Sequence, residues 1–175
     1  MEMIKLLKSN NGFTLIEVMI VISILGIIAG VGGAGLNRWL PDYRLKSSVL
    51  DIRSMIQSAR LEAVKNNADV FIRFDSNTRV CSSFLDNATD APNRGILDGG
   101  DNPVMNLAMP AGIVIIDLFG VVAPVVDVTI NSRGFSTLAG EIHLKNARDT
   151  YQGVNLTLAG SSRIIRSADG GVSWN

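Results

Sequence analysis

Gly12-Phe-Thr-Leu-Ile-Glu17 runs directly into Val18-Met-Ile-Val-Ile-Ser-Ile-Leu-Gly-Ile-Ile-Ala29. A single carboxylate stands in a stretch apolar enough to enter a bilayer. A membrane-crossing helix needs about 20 apolar residues, and residues 13–36 supply that length. An unpaired carboxylate in hydrocarbon costs ~2.5 kcal/mol or more. Glu17 therefore needs a partner, and the partner defines the function. Lys5 and Lys8 precede the apolar run. By the positive-inside rule they hold that end in the cytoplasm and send the rest of the chain outward. An ordinary secretory signal has an apolar stretch of about 7–15 residues with its cleavage site behind it. Here the run is longer, and a glycine precedes it instead. A plain membrane anchor accounts for the length but gives no reason for Glu17.

From Phe13 the pattern predicts one long helix with two different halves. The first is apolar all round, as a membrane or filament-core helix must be. Gly26, Gly30, Gly32, Gly33 and Gly35 weaken it, at about 1 kcal/mol each relative to Ala, but also allow close helix–helix approach in lipid. Pro41 predicts a kink or break near residues 37–39. Trp39 and Tyr43 sit where interfacial aromatics are favoured. The second half is amphipathic. Leu45, Val49, Ile52, Ile56, Ala59 and Ala63 recur at spacings of three and four, the pattern of one buried face. Arg44, Arg53 and Arg60 fall between them, on faces expected to stay exposed for docking. Asn66-Asn67 is the predicted stop, because Asn tolerates the left-handed turn at a helix end.

After Asn67 the period changes to two. Segments 70–74 and 79–84 flank Asp75-Ser-Asn-Thr78 and predict a β-hairpin. Residues 86–103, rich in Asn, Asp, Gly and Pro, predict a long loop. Segments 112–116, 121–130, 141–145, 154–158 and 163–166 are further candidate strands, punctuated by Gly134, Gly140, Gly153 and Gly160. About seven short strands after one long helix predict an α+β fold, with the helix's apolar face on the sheet. Residues 170–175 read either as a last edge strand or as a loose tail.

The N-terminal stretch resembles the start of type IV prepilins and type II secretion pseudopilins. That resemblance implies that a prepilin peptidase cuts between Gly12 and Phe13 and that the new terminal Phe13 is N-methylated. It also implies that Glu17, then the fifth residue, pairs with the terminal amine of a neighbouring subunit. The likeness continues through Ala59-Arg-Leu-Glu-Ala63, Asn131-Ser-Arg-Gly-Phe-Ser-Thr137 and Gly160-Ser-Ser-Arg-Ile-Ile-Arg166. These are similar to the helix, turn and C-terminal strand of the GspH/FimT minor pilins and pseudopilins. The implied organisation is a leader at 1–12, a transmembrane or filament-core helix at 13–40, and a pilin-like domain at 41–175. Within that domain an amphipathic helix at 42–66 precedes a β-rich region at 69–175. The implied function is a subunit assembled with other pilins or pseudopilins into a type II secretion pseudopilus or a type IV pilus. Before assembly it would sit in the bacterial inner membrane with its C-terminal domain in the periplasm.

The same resemblance implies an alternative, because some members bind DNA during uptake through a C-terminal Gly-Arg-x-Arg motif. Arg163 and Arg166 are the candidate DNA contacts. Here Ser161-Ser162 separates the glycine from the first arginine, and Ile164-Ile165 separates the arginines. Three apart on a strand, the two side chains point to opposite faces. The chain carries 16 basic and 16 acidic residues, and removal of Lys5, Lys8 and Glu2 leaves 14 against 15. A near-neutral chain is no general polyanion binder.

Other chemistry is thinly represented. His143 is the one histidine, turned outward by the alternation of Ile142 and Leu144, and no nucleophile elbow accompanies any serine. Asp98-Gly-Gly-Asp-Asn102 offers oxygen ligands without the calcium-loop spacing. Cys81 is the single cysteine, placed as a small buried hydrophobe. The sequence thus points to neither an enzyme nor a metal or cofactor site.

Overall fold

Thr14 starts the helix that organises the chain. The Glu17 N–H donates both to its Oγ1 at 3.3 Å and to its carbonyl at 3.1 Å, so a first-turn donor is satisfied at the cap. The helix, α1, spans Leu15–Asn66 in a computed structural model that describes residues 12–85, 101–121 and 123–175. Side chains of residues 31–38 are outside that description, as are residues 1–11 of the predicted leader and 86–100 of the predicted loop. The helix ends as predicted. Asn67 takes φ 50°. The Ala68 N–H reaches the Ala63 carbonyl at 3.1 Å and the Asn67 N–H reaches that of Val64 at 3.4 Å, a Schellman closure. Of the kink or break predicted near 37–39, the break does not occur: the helix continues through Pro41. Proline takes one donor out of the ladder, and the turns on either side carry the helix past it.

The chain divides into two units, one ending at Trp39 and the other comprising Leu40–Asn175. In the first, every described side chain from 13 to 30 is exposed, Phe13 at 82 % and Ile27 at 69 %. Among the described residues no helix is long and apolar enough to cross a membrane.

In the second unit the predicted stripe is fully buried: Leu45, Val49, Ile52, Ile56, Ala59 and Ala63, joined by Met55, all have no exposure. Eight strands follow, β1 Val70–Asp75, β2 Val80–Leu85, β3 Asn102–Ala108, β4 Ile113–Leu118, β5 Val125–Ile130, β6 Gly140–Asn146, β7 Tyr151–Leu156 and β8 Ser162–Ser167. They form two antiparallel four-stranded sheets, ordered β3-β2-β1-β5 and β4-β6-β7-β8. Inward residues of both sheets, among them Ile72, Phe74 and Val128 from the first and Ile142, Leu144 and Val154 from the second, join the helix stripe in one core. At the β1–β2 turn, Asp75 Oδ1 accepts the N–H groups of Asn77 and Thr78 at 2.8 and 3.1 Å, as the hairpin reading requires.

The α+β class holds, with eight strands where the sequence suggests about seven. The additional one, β3, begins at Asn102-Pro103 inside the predicted loop. Proline is tolerated there because β3 is an edge strand, paired only with β2. Two boundaries also move. Residues 121–124 precede β5 instead of opening it, and β7 starts at Tyr151 and passes through Gly153. That glycine is not punctuation. A Cβ there would run into the Ile142 carbonyl and lie 3.2 Å from His143 Cδ2.

His143, Gly153 and Ile165 form a cross-strand row on the face of the second sheet turned away from the core. The C-terminal residues fold back onto that face. Arg166 and Asn175 exchange two backbone hydrogen bonds of 3.0 Å, and the Trp174 ring stacks on His143 with centroids 3.7 Å apart. The tail is thus paired to the β8 edge, not loose. Asp169 closes the return. It accepts from Ser167 Oγ at 2.6 Å, the Ser173 N–H at 2.9 Å and the Ser173 hydroxyl. The bonds from Ser167 and Ser173 hold its carboxyl well below the usual carboxylate range.

Two predictions follow from this packing. Gly153→Ala should lower the unfolding free energy by about 1–3 kcal/mol through overpacking, read by denaturant titration of the full chain in detergent. Asp169→Ala should release Trp174 from His143 at neutral pH, seen as a shift of the Trp174 indole NMR signal. Because the folded-state pKa of Asp169 is depressed, its contribution is complete above the ordinary carboxylate value. In the unaltered chain, release through this group therefore requires acidification below about pH 4.

Candidate functional site

Gly12, Phe13 and Glu17 sit at the start of α1. Among the described residues, a Cβ at Gly12 would meet nothing within 4 Å. Glu17 is the third residue of the helix. Thr14-Leu-Ile-Glu17 has the spacing of a capping box, a signal present in the sequence and overlooked in favour of the charge itself. A carboxylate in the first turn also complements the positive end of the helix dipole. Phe13, Glu17, Val18, Val21 and Ile22 surround a hollow of about 250 Å³ on the helix flank. Among the described residues no cation pairs with Glu17. The described start of the helix therefore offers an exposed apolar surface carrying one negative charge without a described cation.

The arginine pair is placed differently. Arg163 is opposite Asn155 and Arg166 opposite Gln152 in the β7–β8 ladder. Their side chains leave opposite faces of the strand, so the fold does not gather them into one patch. Arg163 lies close enough to Glu141 to favour its ionised form.

His143 occupies a closed arrangement. Its Nε2 is 2.9 Å from Glu141 and its Nδ1 3.5 Å from Asp117. Asn155 Nδ2 donates to the other oxygen of Glu141 at 3.0 Å. Burial pushes the Glu141 carboxyl up, but the bonds from His143 and Asn155, with the charge of Arg163, bring it below the ordinary value. Both ring nitrogens face carboxylates and one ring face is covered by Trp174, so the imidazole is engaged in holding the sheet's outer surface together. The Cys81 thiol is fully buried, and burial pushes its pKa up to about 12. It behaves as a core side chain, not a nucleophile. Residues 98–100 of the acidic loop lie outside the described residues, while Asp101 is buried and Asn102 opens β3. Among the described residues no group of three His, Cys, Asp or Glu side chains could hold a metal ion.

The helix arginines, expected to remain exposed together, do not. Arg44 is half-buried and donates to the Ala111 carbonyl at 3.3 Å. Arg53 is half-buried with its Nε fully enclosed. Only Arg60 is exposed. Long basic side chains lay their apolar stems along neighbouring surface, which a position on a helical wheel does not reveal.

Comparison with known proteins agrees with the architecture at both ends of the chain. Residues 7–33 match the prokaryotic N-terminal methylation motif, and residues 49–166 match the type II transport protein GspH. A comparison with curated proteins found no match. Among solved structures, the minor pseudopilin EpsH of the Vibrio cholerae type 2 secretion system is similar at a TM-score of 0.53 and 18 % identity, over 71 % of this chain and 98 % of that one. The type IV minor pilin FimU of Pseudomonas aeruginosa is similar at a TM-score of 0.52 and 16 % identity, over 70 % of this chain and 89 % of that one. At such identities the likeness is one of fold: a helix packed on a β-rich domain. The GspH match, covering more than half of the residues, decides the family: this chain belongs to the GspH family of type IV pilin-like proteins and carries their N-terminal methylation motif.

Proposed function

We propose that the chain is a minor pilin or pseudopilin precursor. Prepilin peptidase cuts it between Gly12 and Phe13, and Phe13 becomes the methylated terminus. The apolar start of α1 then holds the subunit in the inner membrane, with the domain from residue 41 on the periplasmic side, until a filament takes it up. There Glu17 neutralises the terminal amine of a neighbouring subunit, which sets the axial register. Type II secretion pseudopili and type IV pili both fit this reading.

One observation carries it. The second unit has a closed core of its own, yet the helix start presents bare apolar side chains around a carboxylate that no described cation compensates. Burying that surface is favourable only where a positive group meets Glu17. A terminal amine on an identical or related helix supplies both the charge and the apolar cover. DNA uptake has less support, since Arg163 and Arg166 leave opposite strand faces and Arg163 lies beside Glu141.

In the native host, Gly12→Ala should abolish cleavage, leaving the precursor mass intact by mass spectrometry. Glu17→Ala should leave the protein in the membrane but out of sheared filaments. Leaving a buried amine unpaired costs about 3–5 kcal/mol, so incorporation should fall at least about a hundredfold. Normal maturation and normal incorporation of both variants would overturn the proposal.

A further inference from the structure

Three sequence motifs that the processing site does not use meet at one place. Arg60, from Ala59-Arg-Leu-Glu-Ala63, lies across two glycine turns. The first is built on Asn131, whose Oδ1 accepts the N–H groups of Arg133 and Phe135, both at 3.0 Å. The second closes with the Gly160 N–H on the Thr157 carbonyl at 2.9 Å. The Ser136 N–H donates to the Leu158 carbonyl at 2.9 Å and ties the two segments together. Gly134 and Gly160 have φ of 79° and 72°. A Cβ at Gly134 would lie 2.9 Å from Arg60 Nε, and one at Gly160 would strike the Gly134 carbonyl and lie 3.4 Å from Arg60 Cδ. The two glycines make a floor low enough for the arginine stem to cross.

Beside this floor runs a groove of about 530 Å³, lined by Arg53, Arg60, Leu61 and Val64 of the helix and by Ser161 and Ser162 at the start of β8. Arg53 Nε and Ser162 Oγ are buried and hydrogen-bond to no described group. Buried polar atoms are normally satisfied, so the groove wall holds donors that the described chain leaves unmet. Among the described residues neither guanidinium is paired with a carboxylate, whereas Arg73 is held by Asp127 and Arg148 by Asp42. Leu61 and Val64, exposed at 67 % and 52 %, form an apolar lip.

We infer that this groove docks an acidic, partly apolar segment of an adjoining filament subunit of different sequence, its carboxylate reaching Arg53 and Arg60. The inference rests on the filament reading above. A carboxylate satisfies guanidinium groups in bidentate fashion and accepts from a serine hydroxyl, and the lip matches an apolar neighbour on the same segment. The described part of a second copy is a poor source of that acid. Among the described residues, every carboxylate outside the apolar run is already engaged within the chain, for example Asp42, Asp117, Asp127, Glu141 and Asp169. A nucleic-acid backbone is disfavoured by a near-neutral chain offering two arginines beside apolar side chains.

The test is site-specific photo-crosslinking of the full chain in its native host, with Leu61→p-benzoylphenylalanine. Crosslinked peptides are identified by mass spectrometry, and incorporation into sheared filaments is followed in parallel. The expected product joins Leu61 to an Asp- or Glu-bearing segment of a different pilin-like subunit. Its yield should fall about tenfold with Arg53→Gln/Arg60→Gln and recover in part with Arg53→Lys/Arg60→Lys, at equal protein level. The lysine pair keeps the charge, so its recovery also separates lost contact from lost folding. A product with a second copy, a product with nucleic acid, a yield indifferent to the charge, or no product from a subunit present in filaments would each overturn the docking site alone. Absence of the unaltered chain from filaments would overturn the filament reading as well.

Discussion

Burial of one helix stripe, from Leu45 to Ala63, is the interaction on which the rest of the domain depends. Each four-stranded sheet has an apolar face that must be covered, and both share one core with the stripe. Val70, Ile72 and Phe74 of β1 and Val126, Val128 and Ile130 of β5 join it from one sheet, and Ile142 and Leu144 of β6 and Val154 and Leu156 of β7 from the other. At roughly 1.5–3 kcal/mol for each large apolar side chain enclosed, the stripe outweighs the local cost of the proline within the same helix. The same helix begins with apolar side chains that find no such cover in their own unit. One element thus satisfies its burial demand within the chain at one end and leaves it open at the other.

Charge follows a similar division. Over the described part of the domain the carboxylates are held at home, by Arg73, Arg148, Lys65, Lys145 and His143 or by capping hydrogen bonds. Two of the described charges without such a partner stand beside bare apolar surface. Glu17 is a negative charge without a described cation, and Arg53 with Arg60 is a positive pair without a described carboxylate. Each sits against apolar side chains, where an incoming partner would exclude water and strengthen the contact. Isolated charges at wet surfaces stabilise little. Charges next to bare apolar surface are the usual mark of an interface.

What the sequence reveals and what it hides divide by range. The stripe, the stop at Asn67 and the Asp75 turn are read correctly because each depends on residues within a few positions of one another. The N-terminal motif is legible for the same reason. β3 is hidden because an edge strand exposed on much of its length shows no clean alternation, and because it opens with Asn-Pro. Gly153 looks like punctuation, since its requirement comes from Ile142 and His143 on the neighbouring strand. The groove at Arg60 needs two turns, at 131–135 and 157–161, to approach a helix many residues away. No local pattern encodes that meeting. The clasp of Trp174 over His143 is equally remote, joining positions 31 apart.

The central claim is that the bare apolar start of α1 is covered by lipid or by neighbouring helices when the subunit is in place. Cys81 is the single cysteine, fully buried and with a thiol too basic to react readily, so an introduced cysteine can be labelled selectively. A nitroxide at Ile22→Cys, in host membranes, should collide readily with oxygen and be shielded from a water-soluble nickel relaxant, while one at the exposed Val114→Cys should show the reverse. Equal access of the nickel reagent to both positions would contradict the account.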